Sequence, residues 1–84
     1  MTKYVLSSEF EKNTIDDKCI LFSQDCRKIY EANVIETIIV TQFEKPCSIG
    51  EVEEKCRQIE GFNREEFYDF INDIINKHII VLSK

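Results

Sequence analysis

Four cysteines and one histidine have the widest chemical repertoire in this sequence, and their spacing decides whether they act together. Cys19 and Cys26 are separated by six residues and Cys47 and Cys56 by eight, so no pair has the short gap of a zinc knuckle. His78 is the only histidine, which leaves no second nitrogen ligand and no Cys–His pair to activate a thiolate. Gly50 and Gly61 are the only glycines, too few and too far apart for a phosphate-cradling loop. Cys56 falls on the same helical stripe as Ile49, Val52 and Ile59, the placement of a small apolar core residue. The expectation is four reduced thiols in core or half-buried positions, no metal, no cofactor and no catalytic activity.

The charged residues are more informative. Sixteen acidic against eleven basic residues give a net charge of −5, the wrong sign for a ligand whose phosphates are read by Lys and Arg. Arg27 and Lys28 are adjacent cations on this otherwise acidic chain, a pairing suited to an acidic peptide. No apolar run approaches the roughly 18–20 residues of a membrane span, and Met1-Thr2-Lys3-Tyr4 lacks the apolar region of a signal peptide. A cytoplasmic protein without nucleic-acid or membrane partners is expected. Its 84 residues make a single small domain over 1–84.

The elements that position these residues follow from three similar openings. Asn33-Val34-Ile35-Glu36, Ser48-Ile49-Gly50-Glu51 and Asn63-Arg64-Glu65-Glu66 each place a capping residue three positions before a glutamate, about fifteen residues apart. The first helix carries Ile35, Ile38, Ile39 and Phe43 inward and stops before Pro46. The second carries Ile49, Val52, Cys56 and Ile59 and is expected to end at Gly61 as its left-handed C′ residue. In the third, Phe67, Phe70, Ile71, Ile74 and Ile75 form one stripe, which ends near Lys77-His78. Ile79–Leu82 reads as a final strand. Upstream, Lys3–Leu6 is a short first strand, followed by a polar connection through Asp17. Cys19–Phe22 and Arg27–Glu31 are two strands joined through Ser23-Gln24-Asp25-Cys26. Strands first and helices after give an α+β fold: a winged helix-turn-helix-like domain with an N-terminal three-stranded antiparallel sheet followed by three helices.

The run from Cys19 to Asn33 resembles the strand–turn–strand segment of the PqqD-like family, peptide chaperones of pyrroloquinoline quinone biosynthesis. That segment ends in an aromatic, a polar residue, then Leu-Asn. Tyr30, Glu31 and Asn33 match, Ala32 stands where leucine is usual, and Arg27 replaces a frequent glycine. Ser48-Ile-Gly-Glu-Val is similar to the family's second-helix opening, and Phe70-Ile71, Ile74-Ile75 and Ile79-Ile80 to its closing helix and tail. The resemblance implies a RiPP recognition element, a domain that binds the leader region of a ribosomally made precursor peptide as an added strand. It also implies a partner, either a modifying enzyme such as a radical SAM protein or a leader peptidase of the lasso type. A chain ending at Lys84 is expected to be free-standing rather than fused to that enzyme.

The residues point the same way without the resemblance. A small sheet leaves an edge of unpaired N–H and C=O groups, a template for an incoming strand. On a helical wheel, Tyr68 and Ile75 lie near Ile71 on one flank of the third helix, apolar beyond what a buried stripe requires, with Phe70 on the opposite flank. The expected peptide-binding residues are therefore Arg27, Lys28, Ile29, Tyr30 and Glu31 on the strand and Tyr68, Ile71, Asn72 and Ile75 on the helix. Two other classes share the helix order. A DNA-binding winged helix needs a basic third helix, whereas Glu65, Glu66, Asp69 and Asp73 here oppose Arg64 and Lys77. A protein-interaction or dimerisation module would bury the Tyr68/Ile75 flank against another surface. The expected state is a monomer or weak dimer.

Overall fold

Capped helices and antiparallel hairpins account for the architecture, seen in a computed structural model that describes residues 2–16, 18–25 and 27–83. In chain order the elements are β1 (Tyr4–Leu6), β2 (Phe10–Ile15), β3 (Lys18–Ser23), β4 (Ile29–Ala32), α1 (Val34–Gln42), α2 (Ile49–Cys56), α3 (Arg64–Asn76) and β5 (Ile80–Leu82). β2, β3 and β4 form a three-stranded antiparallel sheet in that order, and β1 pairs antiparallel with β5. The fold is α+β, an antiparallel three-stranded sheet followed by three helices, as the sequence leads one to expect.

The membership of that sheet differs from expectation. The stretch read as a polar connection contains β2, paired with β3 from Phe10↔Ser23 to Ile15↔Lys18. Between Phe10 and Ile15 stand Glu11, Lys12, Asn13 and Thr14, so the segment shows no apolar alternation. Its place is held by other means. Phe10 is buried, and the Lys12 ammonium donates to Thr41 Oγ1 at 3.2 Å and pairs with Glu44 at the end of α1. Asp16, in the two-residue link to β3, has φ of +56°, a left-handed conformation that aspartate tolerates. Asp17 lies outside the described residues. β1, expected in the sheet, instead joins the chain's end: Tyr4 exchanges backbone hydrogen bonds with Cys47, and Ser7 N–H donates to the Ile79 carbonyl.

All three capping residues act as the spacing predicts. Asn33, Ser48 and Asn63 accept from the backbone N–H of Glu36, Glu51 and Glu66, and in α1 and α2 the glutamate returns a bond to the cap nitrogen. α2 ends earlier than expected. It stops at Cys56, where Ile59 N–H turns to the Cys56 carbonyl and Phe62 N–H to that of Ile59. Those tight i→i+3 turns replace the helical ladder, and Gly61, at φ +86°, serves the α2–α3 link rather than the helix cap. α3 closes with a Schellman motif: Ile79 N–H reaches Ile74 O at 2.9 Å and His78 N–H reaches Ile75 O at 3.0 Å. His78 takes the left-handed position at φ +60°, where glycine is usual.

The core lies between the inner face of the sheet and the helices. Leu21 and Ala32 contribute from the sheet, Ile39, Val40 and Phe43 from α1, Val52 and Cys56 from α2, and Phe67, Ile71 and Ile74 from α3. Cys19, Cys47 and Cys56 are separate buried thiols, and burial pushes each of them up from its ordinary pKa. Cys26 lies outside the described residues. Among the described residues, no helix is long and apolar enough to cross a membrane, and no cluster of His, Cys, Asp and Glu has a metal-binding arrangement.

Candidate functional site

Among the described residues β4 is an edge strand whose one strand neighbour is β3. The register is Phe22↔Ile29, Leu21↔Tyr30, Ile20↔Glu31 and Cys19↔Ala32, and Ser23 N–H donates to the Lys28 carbonyl at 2.9 Å. In an antiparallel pair, hydrogen-bonded residues alternate along the strand. Lys28, Tyr30 and Ala32 therefore direct their backbone groups to β3, while Ile29 and Glu31 direct theirs to the open edge. Side chains alternate too. Ala32 and Tyr30 turn toward the core, whereas Ile29, 70% exposed, and Glu31 lie on the outer face.

The turn before β4 is built from its own side chains. Ser23 Oγ donates to Asp25 Oδ1 at 2.6 Å and accepts from Lys28 N–H at 3.0 Å, and Arg27 N–H donates to Asp25 at 3.1 Å. The Ser23 hydroxyl, then the Arg27 N–H, holds the Asp25 carboxyl below the usual carboxylate range. Arg27 and Lys28 are exposed in this loop rather than being the first residues of the strand. An Asx-type turn takes the place of the glycine turn.

Beside the open edge lies a groove of about 290 Å³ lined by Phe10, Arg27, Lys28, Ile29, Tyr30, Lys77 and Ile79. Its lining holds three cations and no carboxylate, in a chain of net charge −5. Tyr30 is its centrepiece. The ring is tilted against Phe70 with centroids 6.0 Å apart, and the Lys77 ammonium sits 4.6 Å from the ring centroid. The Tyr30 hydroxyl donates to Glu36 Oε2 at 3.3 Å, which ties β4 to α1. Burial, and then the nearby Glu36 and Asp73 carboxylates, push the Tyr30 phenol up to about 12. Lys77 is itself oriented by Asp73 one turn earlier, at 3.0 Å.

Against Tyr30 of β4 stand Phe70 of α3 and Lys77 just past its end, whereas Tyr68, Ile71, Asn72 and Ile75, the expected groove wall, do not line this groove. Ile71 is 1% exposed and belongs to the core. Tyr68 faces α2, where its hydroxyl donates to Glu53 Oε1. Arg64 Nε reaches Glu53 Oε2 at 3.1 Å and Arg57 joins the same oxygen at 3.3 Å, with the Arg64 guanidinium 5.5 Å from the Tyr68 ring centroid. The Tyr68 hydroxyl, with Arg57 and Arg64, holds the buried Glu53 carboxyl below its ordinary range. The apolar surplus on that flank is explained by a helix–helix contact. Ile75 is half-buried and Asn72 exposed, and neither lines the groove. The structure therefore brings Arg27, Lys28, Ile29 and Tyr30 to one groove and leaves Glu31 on the outer face of the same strand. Sequence reasoning missed Phe10, Lys77 and Ile79. The i, i+4 pair Asp73–Lys77, beside Phe70, was the available signal for the correct flank.

The fold has a known counterpart. No family model matches the chain, and no curated protein matches it in sequence. The solved structure of TbiB1 in complex with the TbiA(beta) leader peptide superposes with a TM-score of 0.75. The match covers 90% of this chain and 93% of that one at 16% sequence identity. The two chains share a fold.

Proposed function

We propose that this chain is a recognition domain for a leader peptide, a RiPP recognition element of the PqqD-like kind. The leader of a ribosomally made precursor adds as a strand to β4, and the domain delivers it to a modifying enzyme or leader peptidase of the same pathway. The observation that carries this reading is the open β4 edge, with Ile29 and Glu31 directing backbone groups outward, beside a cation-lined groove. Backbone pairing supplies affinity without regard to sequence, and the adjoining groove supplies selection. The shared fold with a protein solved in complex with a leader peptide supports it.

Under this reading the domain works by binding alone, as a monomer or weak dimer in the cytoplasm, with no cofactor and no nucleic-acid partner. Residues 1–84 act as one binding domain. The binding residues are Arg27, Lys28, Ile29, Tyr30 and Glu31 with Phe10, Lys77 and Ile79, rather than the Tyr68 flank. The test is an amide chemical-shift titration with the leader of a precursor encoded beside this chain. Shifts should centre on Ile29–Ala32 and on the end of α3 through Ile79. Shifts confined to α1, α2 and the Tyr68 flank, with β4 silent, overturn the assignment.

A further inference from the structure

An added strand has two faces, and on this protein they meet different chemistry. Residues opposite Tyr30 point to the groove side, where Lys77, Arg27 and Lys28 stand. Those opposite Ile29 and Glu31 point to the outer face of the sheet. There, Ile29 pairs with Phe22 and Glu31 with Ile20. Ile15 and Val34, 57% and 48% exposed, line this surface together with the charged Asp16 and Lys18. Glu31 is exposed on that surface and forms no ion pair among the described residues.

Resting on the strand-addition reading, we propose that the bound segment is selected by a three-residue pattern, basic–acidic–apolar from N to C. It runs antiparallel to β4, with the basic residue opposite Glu31, the acidic one opposite Tyr30 and the apolar one opposite Ile29. The outward backbone groups of Ile29 and Glu31 make hydrogen-bonded pairs with the first and third residues. The middle residue falls in the non-hydrogen-bonded position, where facing side chains approach most closely, about 4.5 Å between Cα atoms. Its carboxylate enters the groove lined by Arg27, Lys28 and Lys77, where Arg27 and Lys77 already face Asp25 and Asp73 while Lys28 forms no ion pair among the described residues. The ammonium or guanidinium of the first residue meets the unpaired Glu31, and the third extends the Phe22–Ile29 pair by one strand. A second copy of this chain is a poor occupant. A symmetric pairing of two β4 edges with Tyr30 opposite Tyr30 would bring the groove cations of the two copies together, in a protein of net charge −5.

Two short synthetic peptides, identical except for a centre reading Lys-Asp-Val or Asp-Lys-Val, test the pattern by fluorescence polarisation and amide titration. The second peptide should bind about tenfold more weakly, because the cross-strand pair with Glu31 turns from attraction to repulsion and the middle residue brings a like charge to the groove cations. Glu31→Lys should reverse the preference at the first position only, favouring Glu-Asp-Val over Lys-Asp-Val. Glu31 is exposed, so this variant should keep its fold, which a thermal melt checks. Equal affinity for both peptides, with β4 amides shifting in each case, overturns the charge pattern and leaves strand addition standing. If neither peptide perturbs β4, both readings fall together.

Discussion

Replacing Ile29 with proline tests strand addition at a single backbone atom. The bond from Ser23 N–H to Lys28 O and the Leu21↔Tyr30 pairing place the Tyr30 N–H on β3, so the Ile29 N–H points to the open edge. Proline at 29 removes that outward donor and no β3–β4 hydrogen bond. The position suits it, being the first residue of an edge strand with its N–H toward solvent. Ile29 is 70% exposed, so the side-chain change costs little burial. The loss falls on the ligand: one backbone hydrogen bond, and a carbonyl left without a partner. Together these are worth about 1–2 kcal/mol, roughly five- to thirtyfold in Kd. Ile29→Ala removes the same side chain and keeps the N–H, so the difference between the two variants isolates the backbone bond. Tyr30→Pro is the opposite case: it deletes a β3–β4 bond and the ring on Phe70, and should cost about 3 kcal/mol or more of stability. Isothermal titration with the leader peptide, beside a thermal melt of each variant, reads both quantities. If Ile29→Pro stays folded and binds as tightly as Ile29→Ala, the ligand does not use this edge and the reasoning fails.

Other expectations concern the fold that holds the site. His78→Gly should stabilise the domain by about 0.5–1 kcal/mol, because glycine takes φ +60° without the Cβ penalty and loses part of that gain to unfolded-chain entropy. A thermal melt should show a rise of a few degrees, whereas a lower Tm would mean that the His78 side chain makes a contact of its own. Glu53 has its carboxyl held low in the folded state, so its stabilisation is present above the ordinary carboxylate pKa and lost as pH falls through that range toward the folded value. Glu53→Gln should flatten the acid limb of a urea-midpoint profile, and an unchanged limb would remove the Arg57–Glu53–Arg64 cluster as its cause. Tyr30 runs the other way: with its phenol pushed up to about 12, its contribution is present below the ordinary tyrosine pKa of about 10 and lost as pH rises from there. Tyr30→Phe should weaken alkaline unfolding over that interval, leaving what Tyr68 and the buried thiols of Cys19, Cys47 and Cys56 contribute; an identical alkaline limb would contradict the burial argument.

Much of this protein is decided by short-range chemistry and is legible in the chain. The three caps at Asn33, Ser48 and Asn63 are local events, each made by a side chain and a backbone N–H three residues on. The apolar stripe of α3 and the β3–β4 hairpin are equally local, since periodicity and turn residues act within a few positions. Those signals define an α+β domain and mark the strand at Tyr30. β2 escaped because its one buried apolar residue is Phe10 and its anchorage comes from Lys12 bonding to Thr41 and Glu44, partners some thirty residues away. The pairing of β1 with β5 joins the two ends of the chain, and no local pattern encodes it. The flank of α3 that walls the groove was decided only by tertiary structure. A helical wheel shows two flanks beside the buried stripe, but the path of α1 and α2 determines which one meets the sheet. That path turns Tyr68 toward Glu53 of α2 and brings Phe70 and Lys77 to Tyr30. Periodicity is a property of the helix alone. The neighbour on each side is a property of the packed chain.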